Sequence, residues 1–334
     1  MAASNPSRFS RKIWRLGLAV VVAALIYTAG WFYATSQIKE RLQLAFGGAN
    51  PIAAEVDCGD MDMRGFPFRL GLHCSKLAVD DHRNGISATF GSLRTAAQIY
   101  APGHVVWELD GPAEIRSAFG PVVLADWKNL RSSLSAGFSG VNRTSLTADE
   151  VKATVSSTLS TEVVDVTAKR GELHLRRNDA DLDVAMLMEN AQAVIRDSAI
   201  ALPLVSTSAD LTLAGKADFI DLRDVTGAGL YGASGEVRRL VFDLGDGKTI
   251  TVSGPFSFND SGYLSGDMRV DVEGIDAWSQ TLQAGLPQLS KQVKSAANML
   301  KALFGGKNTG GANFTIRDGT VTLSFIPLGR LPPI

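Results

Sequence analysis

The sequence has few of the residues that most enzymes and nucleic-acid-binding proteins use. It holds four histidines and two cysteines, and its 34 acidic and 33 basic residues nearly cancel to a net charge of -1. Because the basic residues are scattered and not in excess, the sequence lacks the positive surface of nucleic-acid binders. The histidines stand far apart and belong to no HExxH or nucleophile-elbow motif: His73, His82, His104 and His174. We therefore expect no enzymatic activity, no catalytic residue, no cofactor and no metal.

Long hydrophobic runs are also scarce, and the single one lies near the N-terminus. Leu16 to Tyr33 is uncharged, and no acidic residue precedes Glu40. At about 1.5 Å per residue this run spans roughly 27 Å, close to the thickness of a bilayer core. Basic residues precede it and favour a cytoplasmic N-terminus: Arg8, Arg11, Lys12 and Arg15. This pattern predicts a cytoplasmic segment 1–15 and a single-pass signal-anchor helix 16–33 in a bacterial inner membrane.

The chain beyond the anchor is expected in the periplasm. Residues 34–50 are predicted as a juxtamembrane helical stalk, because Ile38, Leu42 and Phe46 fall on one helical stripe before Gly47-Gly48. Residues 51–334 are predicted as one β-rich domain. The alternative is a cleaved signal peptide, for which Ala34-Thr35-Ser36 is an acceptable cleavage site.

Short alternating segments bounded by turn residues fill most of the chain after residue 51. Examples are HVVWELDG, GELHLRR and ADLTLAG, and the chain has 33 glycines to serve turns. This pattern predicts a mainly β fold, an elongated antiparallel meander forming a curved sheet or gutter. Asp243 to Lys248 and Asn259 to Gly262 are predicted as hairpin turns. The stretch Ala180 to Ile195 is compatible with one strand or with a strand and a short helix.

Two polar or glycine-rich patterns carry weak functional signals. Gly227 to Gly232 matches GxGxxG, but a strand-like segment follows it where a dinucleotide site needs a helix. We interpret it as a turn. Asp179, Asp181 and Asp183 alternate and are expected on one face of a strand, with water as their partner rather than a cation.

One amphipathic helix is predicted at residues 276–304, with Asp276 as its N-cap. Gly285 and Pro287 are expected to break or kink it. The helix is predicted to pack on the sheet and to cover one open end of a groove through an apolar stripe: Trp278, Leu282, Leu286, Leu289, Val293 and Leu300.

The two cysteines, Cys58 and Cys74, both lie in the translocated part of the chain. An oxidising compartment favours a disulfide between them, and the alternative is a pair of buried thiols. Between them stands the most distinctive motif, Gly65-Phe66-Pro67-Phe68. Phe66 and Phe68 are two residues apart and are expected on one face of a strand. Pro67 cannot donate to a sheet ladder, which places it on an edge or at a bulge. The motif is either a structural hairpin or a docking edge for a partner.

Three segments together resemble a known family. CGDMDMRGFPFRLGLHC, GYLSGDMRVDVEGIDAW and FTIRDGTVTLSFIPLGRLPPI look like the alphaproteobacterial family DUF2125, which has no established activity. The anchor followed by a GFPF-type segment is more loosely similar to AsmA-like periplasmic proteins anchored in the inner membrane. The looser resemblance implies long sheets that curl into a groove, and a place in lipid or lipopolysaccharide homeostasis.

These observations lead to a functional expectation. We expect a membrane-anchored periplasmic protein that binds or conducts lipid, such as lipopolysaccharide, in envelope maintenance. The alternative is a scaffold that docks another envelope protein through a sheet edge. A sheet with an open apolar groove would favour the first hypothesis over a sheet with a filled core.

Overall fold

The first element of the fold is one long helix. The structure is a computed structural model, and it describes residues 7–46, 55–82, 85–118, 120–137, 140–157, 160–196, 200–221 and 227–334. Helix α1 runs without interruption over Ser7–Phe46, so the predicted helical extension to Phe46 is confirmed. It is long and apolar enough to cross a membrane. Its side chains are mostly exposed, but those of Trp31 and Thr35 are buried. The predicted stop at Gly47-Gly48 lies outside the described residues.

The first half of the sheet consists of short strands. Their bounds are β1 (Glu55–Cys58), β2 (Asp62–Arg64), β3 (Arg69–Cys74), β4 (Leu77–Asp81), β5 (Ile86–Phe90), β6 (Leu93–Gln98), β7 (Ala101–Leu109), β8 (Ala113–Ser117), β9 (Pro121–Asp126) and β10 (Asn129–Gly137).

The second half consists of longer strands. Their bounds are β11 (Gly140–Ser157), β12 (Ser160–Asn178), β13 (Asp181–Ile195), β14 (Val205–Ala214), β15 (Ser234–Asp243), β16 (Thr249–Phe258), β17 (Leu264–Glu273), β18 (Thr309–Arg317), β19 (Thr320–Leu323) and β20 (Ile326–Arg330).

The described strands form a single antiparallel sheet of 20 strands, which confirms the predicted mainly β fold. From β10 to β20 each strand pairs with the next along the chain, as a meander requires. The earlier strands pair differently, because the sheet divides at β11. One half of β11 pairs with β10 and leads through β7, β6 and β3 to β2. The other half pairs with β9 and leads through β8, β5 and β4 to β1. The sheet is not closed.

The predicted hairpin turns are present and have a local cause. The turn between β15 and β16 uses Gly245, Asp246 and Gly247, all at positive φ, which glycine and aspartate tolerate better than other residues. Asn259 starts the turn between β16 and β17, where its side chain accepts hydrogen bonds from the backbone of Ser261 and Tyr263 at 3.0 Å. Such local hydrogen bonds explain why these turns are readable from the sequence.

The undecided stretch from Ala180 to Ile195 is one strand, β13, without a helix. Asp181 begins this strand and Asp183 lies within it. The expectation that Asp179 shares their face was wrong, because Asp179 occupies the turn before β13 at a φ of 52°. A positive φ breaks the alternation of side chains on which the expectation depended.

Two helices follow β17, where the prediction has one helix that Gly285 and Pro287 break or kink. They are α2 (Ile275–Gly285) and α3 (Ser290–Leu303), joined by a 3-10 turn at Pro287–Leu289. The expected break at Gly285 and Pro287 is therefore confirmed. The prediction of Asp276 as the N-cap was wrong. Gly274 precedes the helix at a φ of 76°, and the Asn308 side chain accepts the Asp276 backbone N–H at 2.8 Å.

Candidate functional site: an apolar sheet face and a turn docked on helix α1

One face of the sheet is apolar across eight neighbouring strands. A single row of directly paired residues runs from β11 to β18. Its members are Leu146, Leu173, Met186, Ala209, Leu240, Val252, Val270 and Ala312. At a strand spacing of about 4.8 Å, this row extends for about 34 Å. We call this side of β11–β18 the apolar face.

The apolar face stays partly open to solvent. Ala209 and Ala312 in the row are buried, but Met186 is 38% exposed and the other members are half-buried. The larger side chains of a packed sandwich core would be buried far more completely. The sheet therefore presents a broad apolar surface without a second layer packed tightly along its whole length.

Helices α2 and α3 cover one end of the apolar face. Trp278 and Ala297 form a buried cluster with Val272 and Ile275, and Leu282 and Leu300 pack against it. The other members of the predicted stripe lie further out. Leu286 and Val293 are half-buried and Leu289 is exposed. The helix pair thus packs over the ends of β14–β17 and leaves the apolar face further along those strands without this cover.

The indole N–H of Trp278 lies in this cluster without an acceptor. It is one of two buried side-chain polar atoms among the described residues that lack a hydrogen-bond partner. A buried donor without an acceptor costs free energy, and a bound polar group would remove that cost. The indole N–H is therefore an unpaired donor buried at the covered end of the apolar face.

The opposite face carries polar and charged residues. Moving one residue along the same strands gives the paired row Ser145, His174, Ala185, Asp210 and Arg239. We call this side the polar face. The alternation of the two rows follows from the two-residue period of a strand, which places neighbours on opposite sides.

Asp183 is the most buried charge of the polar face. Its carboxylate is 8% exposed and accepts hydrogen bonds from Arg176 at 2.6 Å, Thr212 at 2.8 Å and Arg238 at 3.1 Å. These bonds lower the pKa of Asp183 from 3.8 to about 2, and the bond from Arg176 has the largest effect. Arg238 also binds Asp210, which raises the pKa of the guanidinium. The prediction that water is the partner of Asp183 was therefore wrong. The carboxylate ties β12 to β14 and β15.

Asp60 and Asp62, which lie close to Cys58 in the sequence, and the segment Gly227 to Gly232 have ordinary structural roles. Asp60 and Asp62 bind Ser75 and Arg64 by side-chain hydrogen bonds of 2.8 and 2.9 Å. No group of three or more metal-ligand side chains occurs within the part of the chain that the structure describes. Gly227 to Leu230 form a short 3-10 helix, which is followed by a turn and then by β15. This agrees with the interpretation of the segment as a turn.

His174 has a serine and a glutamate as polar partners, but each lies on the ring nitrogen opposite to the one that serine hydrolases use. Its Nδ1 lies 2.9 Å from the Ser145 hydroxyl and its Nε2 lies 3.2 Å from a Glu172 oxygen. Arg170 also binds Glu172 and, together with His174, lowers its pKa. Ser145 is paired with neighbouring strands on both sides, so its backbone N–H lies within the ladder. An oxyanion site needs free N–H donors beside the nucleophile, and a continuous ladder does not supply them.

Cys58 and Cys74 form the predicted disulfide, which joins β1, the last strand of one sheet branch, to β3, the strand next to the last of the other. A disulfide indicates an oxidising compartment outside the cytoplasm. The N-terminal apolar helix agrees with this, because both a membrane anchor and a secretion signal lead to that side of the membrane.

The motif Gly65-Phe66-Pro67-Phe68 is a turn between β2 and β3. The expectation that Phe66 and Phe68 share a face of a strand was wrong, because the backbone reverses here and Arg69 N donates to Gly65 O at 2.8 Å. Gly65 has a φ of 114°, and a Cβ on it would lie 2.8 Å from Arg69. Only glycine fits such a position without strain.

This turn docks on helix α1. The Phe66 ring lies 5.4 Å from that of Trp31 and 5.8 Å from that of Phe32. The Trp31 indole donates to the Arg69 carbonyl at 3.2 Å, and the Tyr27 hydroxyl donates to the Pro67 carbonyl. The apolar run that contains Tyr27 and Trp31 predicts a membrane helix and does not indicate this docking contact. The signal in the sequence that could have indicated the docking is the presence of aromatic residues both in the apolar helix and in the motif Gly65 to Phe68.

The fold and these surfaces define a class: an extracytoplasmic, disulfide-bonded antiparallel sheet with an exposed apolar face and an N-terminal apolar helix. Residues 31–332 match the model of the family DUF2125, described as an uncharacterized protein conserved in bacteria. The chain belongs to this family. No curated protein and no solved structure matches the chain.

Proposed function

We propose that this protein is retained in the bacterial inner membrane by α1 and binds lipid on the periplasmic side, along the apolar face. The observation that carries the proposal is the paired apolar row, which crosses eight strands and stays partly exposed. Its extent of about 34 Å exceeds the roughly 15 Å that one acyl layer of a bilayer occupies. A surface of this kind would shield a whole acyl chain from water.

Three further features support lipid handling in envelope maintenance. The apolar helix and the disulfide agree with an anchored protein outside the cytoplasm. Helices α2 and α3 form a cover at one end of the apolar face and leave the face open further along the same strands. The looser likeness to AsmA-like proteins points to lipid or lipopolysaccharide as the ligand class.

The proposal is tested by lipid uptake. Delipidated full-length protein in detergent is titrated with a fluorescent fatty acid and, separately, with a fluorescent lipid A analogue. We expect saturable binding. Leu211→Glu, on the apolar face, should weaken binding at least about tenfold, because a carboxylate beside an acyl chain costs more than about 1.4 kcal/mol.

The matched control is Ser208→Glu, because Ser208 is half-buried on the same strand but on the polar face. This variant should bind the probe as the unmodified protein does. Absence of uptake by the unmodified protein, or equal weakening by both changes, would contradict the proposal.

A second candidate function is a scaffold that docks another envelope protein through a sheet edge. Strand β20 favours it, because β20 pairs only with β19 among the described strands. Phe325 beside it is 89% exposed, and Ile326 and Leu328 are exposed as well. Such an edge is suited to strand addition. A photocrosslinker at position 325 in intact cells should then recover one protein, and recovery of no protein adduct would argue against this candidate.

A further inference from the structure

We infer that the turn Phe66-Pro67-Phe68, together with Tyr100, inserts into the outer leaflet of the phospholipid bilayer beside α1. The inference rests on the proposed retention of α1 as a membrane anchor. It goes further, because it assigns a second surface of the folded domain, apart from the apolar face, to contact with the bilayer itself.

The first argument is the depth at which the turn meets the helix. Its contacts are with Tyr27, Trp31 and Phe32, all within the apolar run that ends at Tyr33. Tyr27 precedes Tyr33 by six residues, or about 9 Å along a helix axis. A turn that touches the helix at this depth lies below the outer end of the membrane-spanning run and therefore among lipids.

The second argument is the chemistry that the turn exposes. Phe66 is 46% exposed and Phe68 is 67% exposed although Phe66 already packs on the helix. The next loop, between β6 and β7, is joined to the turn because Ile99 N donates to Phe68 O at 3.1 Å, and it presents Tyr100 at 77% exposure. Water is an unfavourable environment for two neighbouring phenyl rings, whereas a leaflet accepts them.

The third argument is the order of residues around the turn. Tyrosine prefers the boundary between lipid tails and headgroups, and Arg69 directly after the turn carries a charge suited to lipid phosphate. The Arg69 side chain is exposed. Phenylalanine, tyrosine and arginine thus occur together, as in interfacial segments of membrane proteins.

The fourth argument is the rigidity of the attachment. Gly65 allows the tight reversal, β3 follows at once, and Cys74 at its end is fully buried and bonded to Cys58. A turn held at both ends keeps its depth relative to the helix. Insertion would therefore also set the orientation of β3, β6 and β7, placing this end of the sheet against the lipid headgroups, where β3 begins at Arg69.

The test uses the full chain reconstituted into vesicles of phosphatidylethanolamine and phosphatidylglycerol. The photoreactive residue p-benzoylphenylalanine replaces Phe68, Tyr100 or, as a matched control, Phe325, which is at least as exposed but lies between β19 and β20. After irradiation, mass spectrometry detects phospholipid attached to the protein. We expect phospholipid adducts at positions 68 and 100 and no adduct at position 325.

The outcomes separate this inference from the proposed function. Flotation with the vesicles reports membrane retention, and fatty-acid uptake reports the apolar face. A protein that floats but forms no adduct at position 68, or forms as much at 325, overturns the insertion while retention stands. A protein that does not float overturns both. A protein that forms the adduct but takes up no lipid leaves the insertion supported and refutes lipid binding on the apolar face.

Discussion

Asp183 offers a quantitative test of how the long strands are held together. Its carboxylate is nearly buried and accepts hydrogen bonds from two arginines, Arg176 and Arg238, and from Thr212. These contacts lower its pKa from 3.8 to about 2, which corresponds to roughly 2 kcal/mol of folding free energy at neutral pH. We expect Asp183→Asn, which keeps the shape but removes the charge, to destabilise the protein by about that amount.

The pH dependence has a definite sign. A carboxylate whose pKa is lowered in the folded state stabilises the fold above the unfolded pKa, and this contribution is lost as the pH falls through the folded pKa. The stability difference between the unmodified protein and Asp183→Asn should therefore be complete above about pH 5, about half at pH 3 and small near pH 2.

The assay is urea unfolding of the full-length protein in detergent, followed by circular dichroism at several pH values. The control is Asp271→Asn, because Asp271 forms an exposed ion pair with Arg269. An exposed pair should contribute less than about 1 kcal/mol. An Asp183→Asn difference no larger than that of the control, or one that stays constant from pH 7 to pH 3, would refute the electrostatic argument.

Three other predictions concern the disulfide, the helix cover and the histidine. Replacing Cys58 and Cys74 together by serine should cost about 3 kcal/mol in urea unfolding, since the bond closes a 16-residue separation, and a reductant should then have no further effect. Trp278→Ala should cost about 3 to 5 kcal/mol by loss of the buried cluster, whereas Leu289→Ala at an exposed position should cost under about 1 kcal/mol, and equal costs would argue against the cover. Ester hydrolysis by the purified protein should match the background rate and stay unchanged in Ser145→Ala, while a rate that this change abolishes would indicate a hydrolase.

The local features of the fold were readable from the sequence because their causes lie within a few residues. Alternation along a strand decides which side chains face together, so Leu173 and His174 separate onto opposite faces without reference to any partner. Gly245 specifies its turn through its backbone, which adopts a positive φ, and Asn259 specifies its turn through the hydrogen bonds of its side chain. Gly285 and Pro287 interrupt the helix at the positions where they stand.

Other predictions failed where a distant residue decided the outcome. Asp276 is a suitable N-cap by composition, but Asn308, which is 32 residues further along the chain, accepts its backbone N–H. Phe66 and Phe68 alternate as strand residues do. The docking of Phe66 on Trp31 and the reversal at Gly65 make them a turn instead.

The sequence by itself determined the apolar helix, the alternating strands, the hairpin turns and the two cysteines available to pair. Only the tertiary structure decided that the sheet divides at β11, that Arg238 reaches Asp183 across 55 residues and that Pro67 meets Tyr27 across 40. The physical reason is that strand order and side-chain docking depend on contacts between segments far apart in the chain. Two strands with the same alternation are equally suited to many neighbours, and packing selects among them.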